Sequence, residues 1–112
     1  MRRAGSFSKG LSRFEEAKSL LRRTVPVARR ALGENHNSTL KMRWIYALAL
    51  YEHDAATLGD LREAVETLES VAPLRTRIFG QAHPETPRVQ VALANAREAL
   101  AARAAASSSG AA

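Results

Sequence analysis

The chain repeats itself at an interval of 47 residues, and this interval constrains the fold more than any other feature. ALGENHNST at residues 31–39 and IFGQAHPET at residues 78–86 share Gly, His and Thr at identical spacing. At the same interval FEEAKSLL (14–21) aligns with LREAVETL (61–68), and one proline aligns with another. A single structural unit used twice explains all of these matches together. The sequence therefore predicts stacked copies of one unit.

Apolar residues recur every three or four positions within each unit, which is the spacing of amphipathic helices. We predict an all-α fold of antiparallel helix-turn-helix repeats at residues 12–103. Its four helices are expected at about residues 12–32, 38–53, 60–79 and 85–103. We expect residues 1–11 to form a disordered basic N-terminus. Residues 104–112 contain only Ala, Ser and Gly, so we expect a disordered tail there.

Residues near the predicted helix boundaries have the chemistry that starts a helix. Ser38 or Thr39 can cap the second helix, Asp60 the third and Thr86 the fourth. Pro87 would then lie in a first turn, where its missing N–H is not needed.

Pro26 and Pro73 lie inside the first and third predicted helices at equivalent positions. A proline there costs about 3 kcal/mol, because it removes a hydrogen bond and crowds the preceding turn. We expect a bend or a local break near both prolines.

The repeated junction contains Gly33 and His36 in one unit, and Gly80, His83 and Pro84 in the other. The glycines can end a helix in the left-handed conformation. A metal site would need convergent ligands, and no H-x-x-x-H motif or carboxylate cluster accompanies the histidines. We interpret both histidines as junction residues that bond local backbone. No P-loop, G-x-S-x-G or G-x-G-x-x-G motif is present, and we predict no enzyme activity, catalytic residue, metal or cofactor.

These features resemble tetratricopeptide repeats of the kinesin light chain type over residues 12 to about 103. The resemblance implies a fragment of a right-handed superhelix that acts as a non-catalytic scaffold or adaptor for a protein or peptide partner. The interval of 47 is longer than the ~34 residues of the simple repeat. The residues that carry the resemblance are Phe14 and Ala17 with Leu61 and Ala64, Gly33 and His36 with Gly80, His83 and Pro84, and Leu93 with Ala94.

Stacked helix pairs curve and expose a concave groove, which the second and fourth helices would line. The residues predicted for this groove are Lys41, Trp44, Leu48, Tyr51, Arg88, Val91, Asn95 and Glu98. Trp44, Leu48 and Tyr51 have an alternative interpretation as ordinary core that fills the space between the second helix and its neighbours. In the family an Asn on the inner face holds the bound peptide backbone, and the matching positions here are Trp44 and Val91.

Positive charge is concentrated in the first third of the chain, where residues 1–33 hold nine Lys or Arg against two Glu. A basic face on the first helix could meet an acidic protein, nucleic acid or an anionic membrane, or could simply be solvated. Nucleic acid is less favoured, because the face lacks aromatic side chains for base stacking. The cations of this predicted basic face are Lys18, Arg22, Arg23, Arg29 and Arg30.

No apolar run approaches the ~20 residues of a membrane span, so we expect a soluble, cytoplasmic protein. The Arg- and Ser-containing opening leaves an organelle transit peptide as an alternative. The helix order begins at the second helix of one repeat and ends at the first helix of another. We therefore expect a longer repeat array or self-association to cover the two outer helices.

Overall fold

The chain forms four α-helices in the computed structural model. The structure describes residues 2–52, 56–80 and 82–111, and it describes side chains at residues 13–52, 56–80 and 82–106. No strand occurs within these ranges. The helices are α1 (Arg2–Leu32), α2 (Asn37–Tyr51), α3 (Leu58–Phe79) and α4 (Glu85–Ala111). Each helix packs against the next one along the chain, and α2 also touches α4. The predicted all-α helical repeat fold is confirmed.

The two outer helices are longer than predicted. α1 begins at Arg2 and α4 continues to Ala111, so helix occupies residues 2–11 and 104–111, where disorder was expected. Residues 2–11 contain no Pro, and the C-terminal segment is rich in Ala, the best helix former. Because extending an existing helix avoids the cost of a new nucleus, these segments can continue the packed helices.

Both helices with an internal proline run unbroken, so the predicted local breaks at Pro26 and Pro73 are wrong. Each proline lies on the exposed side of its helix, while neighbours such as Val25 and Ala28 are buried. Packing of the flanking turns therefore offsets the one hydrogen bond that each proline removes. A bend without a break stays a prediction.

The residues that cap α2 and α3 differ from those predicted. His36 is the N-cap of α2, and its Nδ1 accepts a hydrogen bond from the Ser38 N–H at 3.0 Å. Thr57 is the N-cap of α3, where its Oγ1 accepts from the Asp60 N–H at 3.0 Å. Asp60 Oδ2 accepts in return from the Thr57 N–H at 3.2 Å, which completes a capping box. Ser38, Thr39 and Asp60 lie inside their helices because each helix starts earlier than predicted.

The core follows the centre of the stack, where α2, α3 and α4 meet. One cluster gathers around Leu50 and Leu68, and the other around Leu40 and Val71. All four leucine and valine side chains are fully buried. From α1, Leu21 packs against the first cluster. Burial of these side chains stabilises the fold by roughly 25 cal/mol for each Å² of apolar surface removed from water.

A three-residue hydrogen-bond network joins α1, α2 and α3. The Tyr46 hydroxyl donates to Glu63 Oε2 at 2.5 Å, and Arg22 Nε donates to the same hydroxyl at 3.1 Å. Arg22 Nη2 lies 3.4 Å from Glu63 Oε1. Burial raises the pKa of Tyr46, and the bond to Glu63 raises it further. Glu63 therefore ties its helix to the two helices that precede it.

We expect Tyr46→Phe to destabilise the protein by about 1–2 kcal/mol at neutral pH, because the half-buried Glu63 carboxylate loses the shorter of its two hydrogen bonds and keeps only the one from Arg22. The folded-state pKa of Tyr46 is raised. The stabilisation by Tyr46 should therefore be fully present below about pH 10, the unfolded pKa, and be lost as pH rises through the folded pKa. Urea denaturation at several pH values measures this.

Glu63→Gln and the double variant complete a mutant cycle for the same network. The two substitutions should be strongly non-additive at neutral pH, since each breaks the same hydrogen bond. Additive losses that do not change up to pH 11 would show that the tyrosine and the glutamate are uncoupled.

Candidate functional site

The two junctions that lead into α2 and α4 have the same local geometry. Gly33 and Gly80 adopt positive φ angles of 102° and 83°, and each donates its N–H to the carbonyl four residues earlier, at 3.0 and 2.7 Å. Nδ1 of His36 and Nδ1 of His83 each accept from the backbone N–H two residues later, at 3.0 and 3.1 Å. Pro84 is exposed directly before α4. The recurring motif thus builds the same turn twice.

The threonine of the repeated motif is buried in each unit, and its hydroxyl bonds a backbone carbonyl that precedes the helix. Thr86 lies in the first turn of α4, is buried, and donates through Oγ1 to the Gly80 carbonyl at 2.6 Å. Thr39 is equally buried, and its Oγ1 lies 3.4 Å from the Ala28 carbonyl that it bonds. The capping role predicted for Thr86 is therefore wrong, since the helix already begins at Glu85.

A concave cavity of about 420 Å³ lies between α2 and α4, and we call it the groove. α2 supplies aromatic and aliphatic side chains to it, and α4 supplies an exposed cation and an aliphatic side chain. Lys41 and Glu98 are exposed and lie outside its lining. The predicted residues that do line it are Trp44, Leu48, Tyr51, Arg88, Val91 and Asn95.

Trp44 and Leu48 belong to the core and to the groove at once. Both are half-buried and pack against the core clusters, and both also line the groove. Across from them, Val91 leaves 56% of its surface exposed. A fixed apolar wall on α2 therefore faces an accessible apolar side chain on α4.

Tyr51 of α2 and Asn95 of α4 both line the groove. Burial raises the pKa of the Tyr51 hydroxyl, and the neighbouring charge of Glu52 raises it further. A side-chain hydrogen bond with Asn95 acts in the opposite direction. Asn95 is exposed and adds a polar side chain to the groove lining.

A second depression of about 450 Å³ lies on the other side of α2, against α1. Phe14 and Ile45 line it, and Leu48 and Glu52 line both this depression and the groove. The exposed side of α2 therefore forms a ridge between two mainly apolar hollows.

Arg75 is buried beside the groove, and sequence reasoning missed it. Its side chain is 1% exposed and forms an ion pair with Glu85 at the start of α4. Its Nη1 lies 3.4 Å from the Asn37 Oδ1 that it bonds. The guanidinium carbon lies 5.2 Å from the centre of the Trp44 ring and 4.8 Å from that of Phe79. Burial lowers the pKa of Arg75, and the charge of Glu85 opposes that shift.

Two polar atoms at this position have no hydrogen-bond partner among the described residues, namely Arg75 Nε and Trp44 Nε1. The signal that could have identified Arg75 is its register. It continues the apolar stripe of Leu61, Ala64 and Leu68 along α3, so its position is on the buried face.

Part of the predicted basic face is neutralised within the chain. Lys18 Nζ lies 3.5 Å from Asp60 Oδ2, and Arg29 Nε lies 2.8 Å from Glu34 Oε2. Arg22 is held by the tyrosine network described above. These three cations therefore contribute less net charge to the surface than the sequence suggests.

Arg23 and Arg30 lie on the outward side of α1 and are exposed. Arg23 Nε contacts the carbonyl of Ser19 in its own helix at 3.4 Å. Among the described residues, neither arginine forms an ion pair with an acidic side chain. Of the five cations predicted for the basic face, these two are therefore the ones that lie exposed without an acidic partner among the described residues.

The Tetratricopeptide repeat family matches residues 5–38, which cover most of α1, the first junction and the start of α2. Neither the curated proteins nor the solved structures contain a significant match to the chain. The chain is thus similar to tetratricopeptide repeats over less than a third of its length, and the matched range ends before the second unit. In the described part of the chain, no helix is long and apolar enough to cross a membrane.

Replacing Arg75 by Met should destabilise the protein by about 3 kcal/mol, because Glu85 is left half-buried without its partner. Glu85→Gln should be similarly harmful, and the double variant should recover part of the loss, since no unpaired charge then remains. Urea denaturation followed by circular dichroism measures all three variants. Arg77→Met, at an exposed position of the same helix, serves as the control and should change stability by less than about 0.5 kcal/mol.

The single tryptophan reports on the same contact. Its fluorescence should change in Arg75→Met and stay unchanged in Arg77→Met. If Arg75→Met leaves both the stability and the emission of Trp44 at wild-type values, the guanidinium does not support the groove wall.

Proposed function

We propose that this protein is a non-catalytic interaction scaffold that binds a peptide segment of another protein in the groove between α2 and α4. The observation that carries the proposal is the exposed Val91 facing Trp44, whose ring is backed by the buried Arg75. Helical repeats commonly bind partners through concave surfaces of this kind. Large aromatic side chains in fixed positions are the usual anchors of such interfaces.

The partner peptide should combine an apolar anchor with acidic residues. The groove wall offers Trp44, Leu48 and Val91 as an apolar surface, and a side chain that enters it loses contact with water. The exposed Arg88 lines the groove, and Lys41 is exposed on the same helix as Trp44. Since cations at the edge of an interface favour a partner of opposite charge, an acidic peptide fits best.

Catalysis receives no support from this arrangement. Among the described residues that line the groove, Glu52 is the one carboxylate, and no histidine, serine or cysteine accompanies it as a nucleophile–base pair would require. Nucleic-acid binding through the basic face is a weaker alternative, because Lys18, Arg22 and Arg29 are paired within the chain. A cytoplasmic location belongs to the same proposal.

Peptides selected from a displayed random library on the purified protein test the groove directly. Fluorescence anisotropy should show that Val91→Asp and Arg88→Glu each weaken the selected peptides by about tenfold or more, because the first places a charge against the apolar anchor and the second repels acidic residues. Titration of the peptide should also change the emission of Trp44, the only tryptophan of the chain.

The matched controls are Ile78→Asp and Arg77→Glu, which make the same changes at exposed positions of α3 outside the groove. They should bind the peptides like the wild type. Selected peptides that bind all four variants equally and leave Trp44 emission unchanged would contradict the groove as the binding site. Nucleic-acid affinity that falls steeply with salt, together with no peptide binding, would favour the alternative function.

A further inference from the structure

We propose that a second surface, separate from the groove, binds an acidic amphipathic helix of a partner protein. This surface is the outward side of α1 and is formed by Leu20, Arg23, Val27 and Arg30, which we call the outer stripe. Leu20 is 56% exposed and Val27 is 53% exposed. The four residues follow one another by three, four and three positions, so they share one face of the helix.

The internal repeat shows what normally covers this side of such a helix. At the 47-residue interval, Leu20 corresponds to Thr67 and Val27 corresponds to Leu74, both in α3. Both of these α3 residues are half-buried, and Leu74 packs against the core cluster that contains Leu40 of α2. The two apolar positions that are exposed in the first unit are therefore partly covered in the second, whereas Ser70 and Arg77, the counterparts of Arg23 and Arg30, are exposed.

The covering element in the second unit is a helix. Glu63, Thr67 and Leu74 lie on one side of α3, because they are spaced by four and seven residues. Glu63 on that side accepts a hydrogen bond from Tyr46 of α2. The side of α3 that matches the outer stripe thus faces the helix that precedes it.

No described helix takes that place beside α1. Within the described residues α1 packs against α2, which it meets with a different side that includes Arg22 and Val25. The outer stripe therefore has the shape and apolar residues of a helix-packing surface, and a helix is the element that fits it.

The two arginines of the outer stripe indicate that the partner helix is acidic. Arg23 and Arg30 are seven residues apart, or about two turns, and lie beside the two aliphatic side chains. A helix with an apolar stripe and acidic residues at its margins would bury Leu20 and Val27 and pair with both arginines. This is the helix-in-groove mode of recognition, with the ion pairs setting the choice of partner.

A second copy of this chain fits less well. Another α1 would place arginines against arginines. The exposed residues at 94, 97 and 101 on α4 are Ala, Arg and Ala, and Arg97 pairs with Glu69, so that face offers no large apolar side chain and no acidic group for the two arginines. Charge therefore favours an acidic helix over a second copy of this chain as the occupant of the outer stripe.

A designed peptide tests the outer stripe. The probe is a fluorescein-labelled helix of about 20 residues with Leu every three or four positions and Glu on both sides of the Leu stripe. Its control is a peptide of the same composition in scrambled order. Fluorescence anisotropy should show binding of the ordered peptide to the intact protein and at least about tenfold weaker binding of the scrambled one, as expected when burial of an apolar stripe contributes most.

Two double variants locate the binding. Leu20→Ser with Val27→Ser, and Arg23→Glu with Arg30→Glu, should each weaken the ordered peptide by about tenfold or more. The arginine reversal should in addition bind a peptide in which every Glu is replaced by Lys. All four positions are exposed, and circular dichroism should show that both variants fold. Ile78→Ser with Arg77→Glu, an exposed apolar and basic pair on α3, should bind like the wild type.

Several results would overturn the proposal. Equal binding of ordered and scrambled peptides would show that charge alone is responsible, and absence of binding would show that the stripe does not accept a helix. Vesicles of phosphatidylcholine and phosphatidylserine that bind with the same dependence on the variants, while the peptide does not, would assign the stripe to a membrane surface. Self-association in sedimentation that Leu20→Ser with Val27→Ser abolishes would assign it to a second copy. Because the stripe shares no residue with the groove, each of these outcomes leaves the groove proposal unaffected.

Discussion

The burial of Arg75 is the interaction on which the arrangement of the second unit depends. A guanidinium that is 1% exposed can remain charged only if the surrounding groups replace water, and these groups come from three helices. Asn37 stands at the start of α2, Glu85 at the start of α4, and the arginine itself belongs to α3. Two aromatic rings cover the guanidinium. The beginnings of both groove-lining helices are therefore fixed by one charge.

This dependence extends to the groove, because Trp44 is one of the two rings. A tryptophan that lined a groove without support could change rotamer and fill it, whereas Trp44 packs between the core clusters and the guanidinium. The wall is thus preformed, and a bound peptide would not have to order it, which reduces the entropic cost of binding.

The sequence was sufficient for those features that follow from periodicity. Spacing of three and four located all four helices, and the 47-residue interval located Gly33, His36, Gly80 and His83 at the junctions. It failed where the outcome depends on contacts between helices. Pro26 was expected to break α1, but the propensity of one residue is small beside the packing of the turns around it. Arg75 and Glu63 are charged residue types that usually lie on the surface. Only their partners on neighbouring helices show that each belongs to an internal network.

The same reasoning changes the meaning of the positive charge in α1. The five cations predicted to form one face lie on two different sides of α1. Lys18, Arg22 and Arg29, spaced by four and seven residues, form ion pairs with acidic side chains of this chain. Arg23 and Arg30 follow the other helical stripe and lie beside exposed aliphatic residues. Net charge alone would describe a uniformly basic helix suited to any polyanion. In the structure, the cations on one side of α1 are paired with acidic side chains, and on the outer side apolar and basic residues alternate. A partner of this outer side must match apolar surface as well as charge. The pattern therefore favours a folded acidic partner over a simple polyanion.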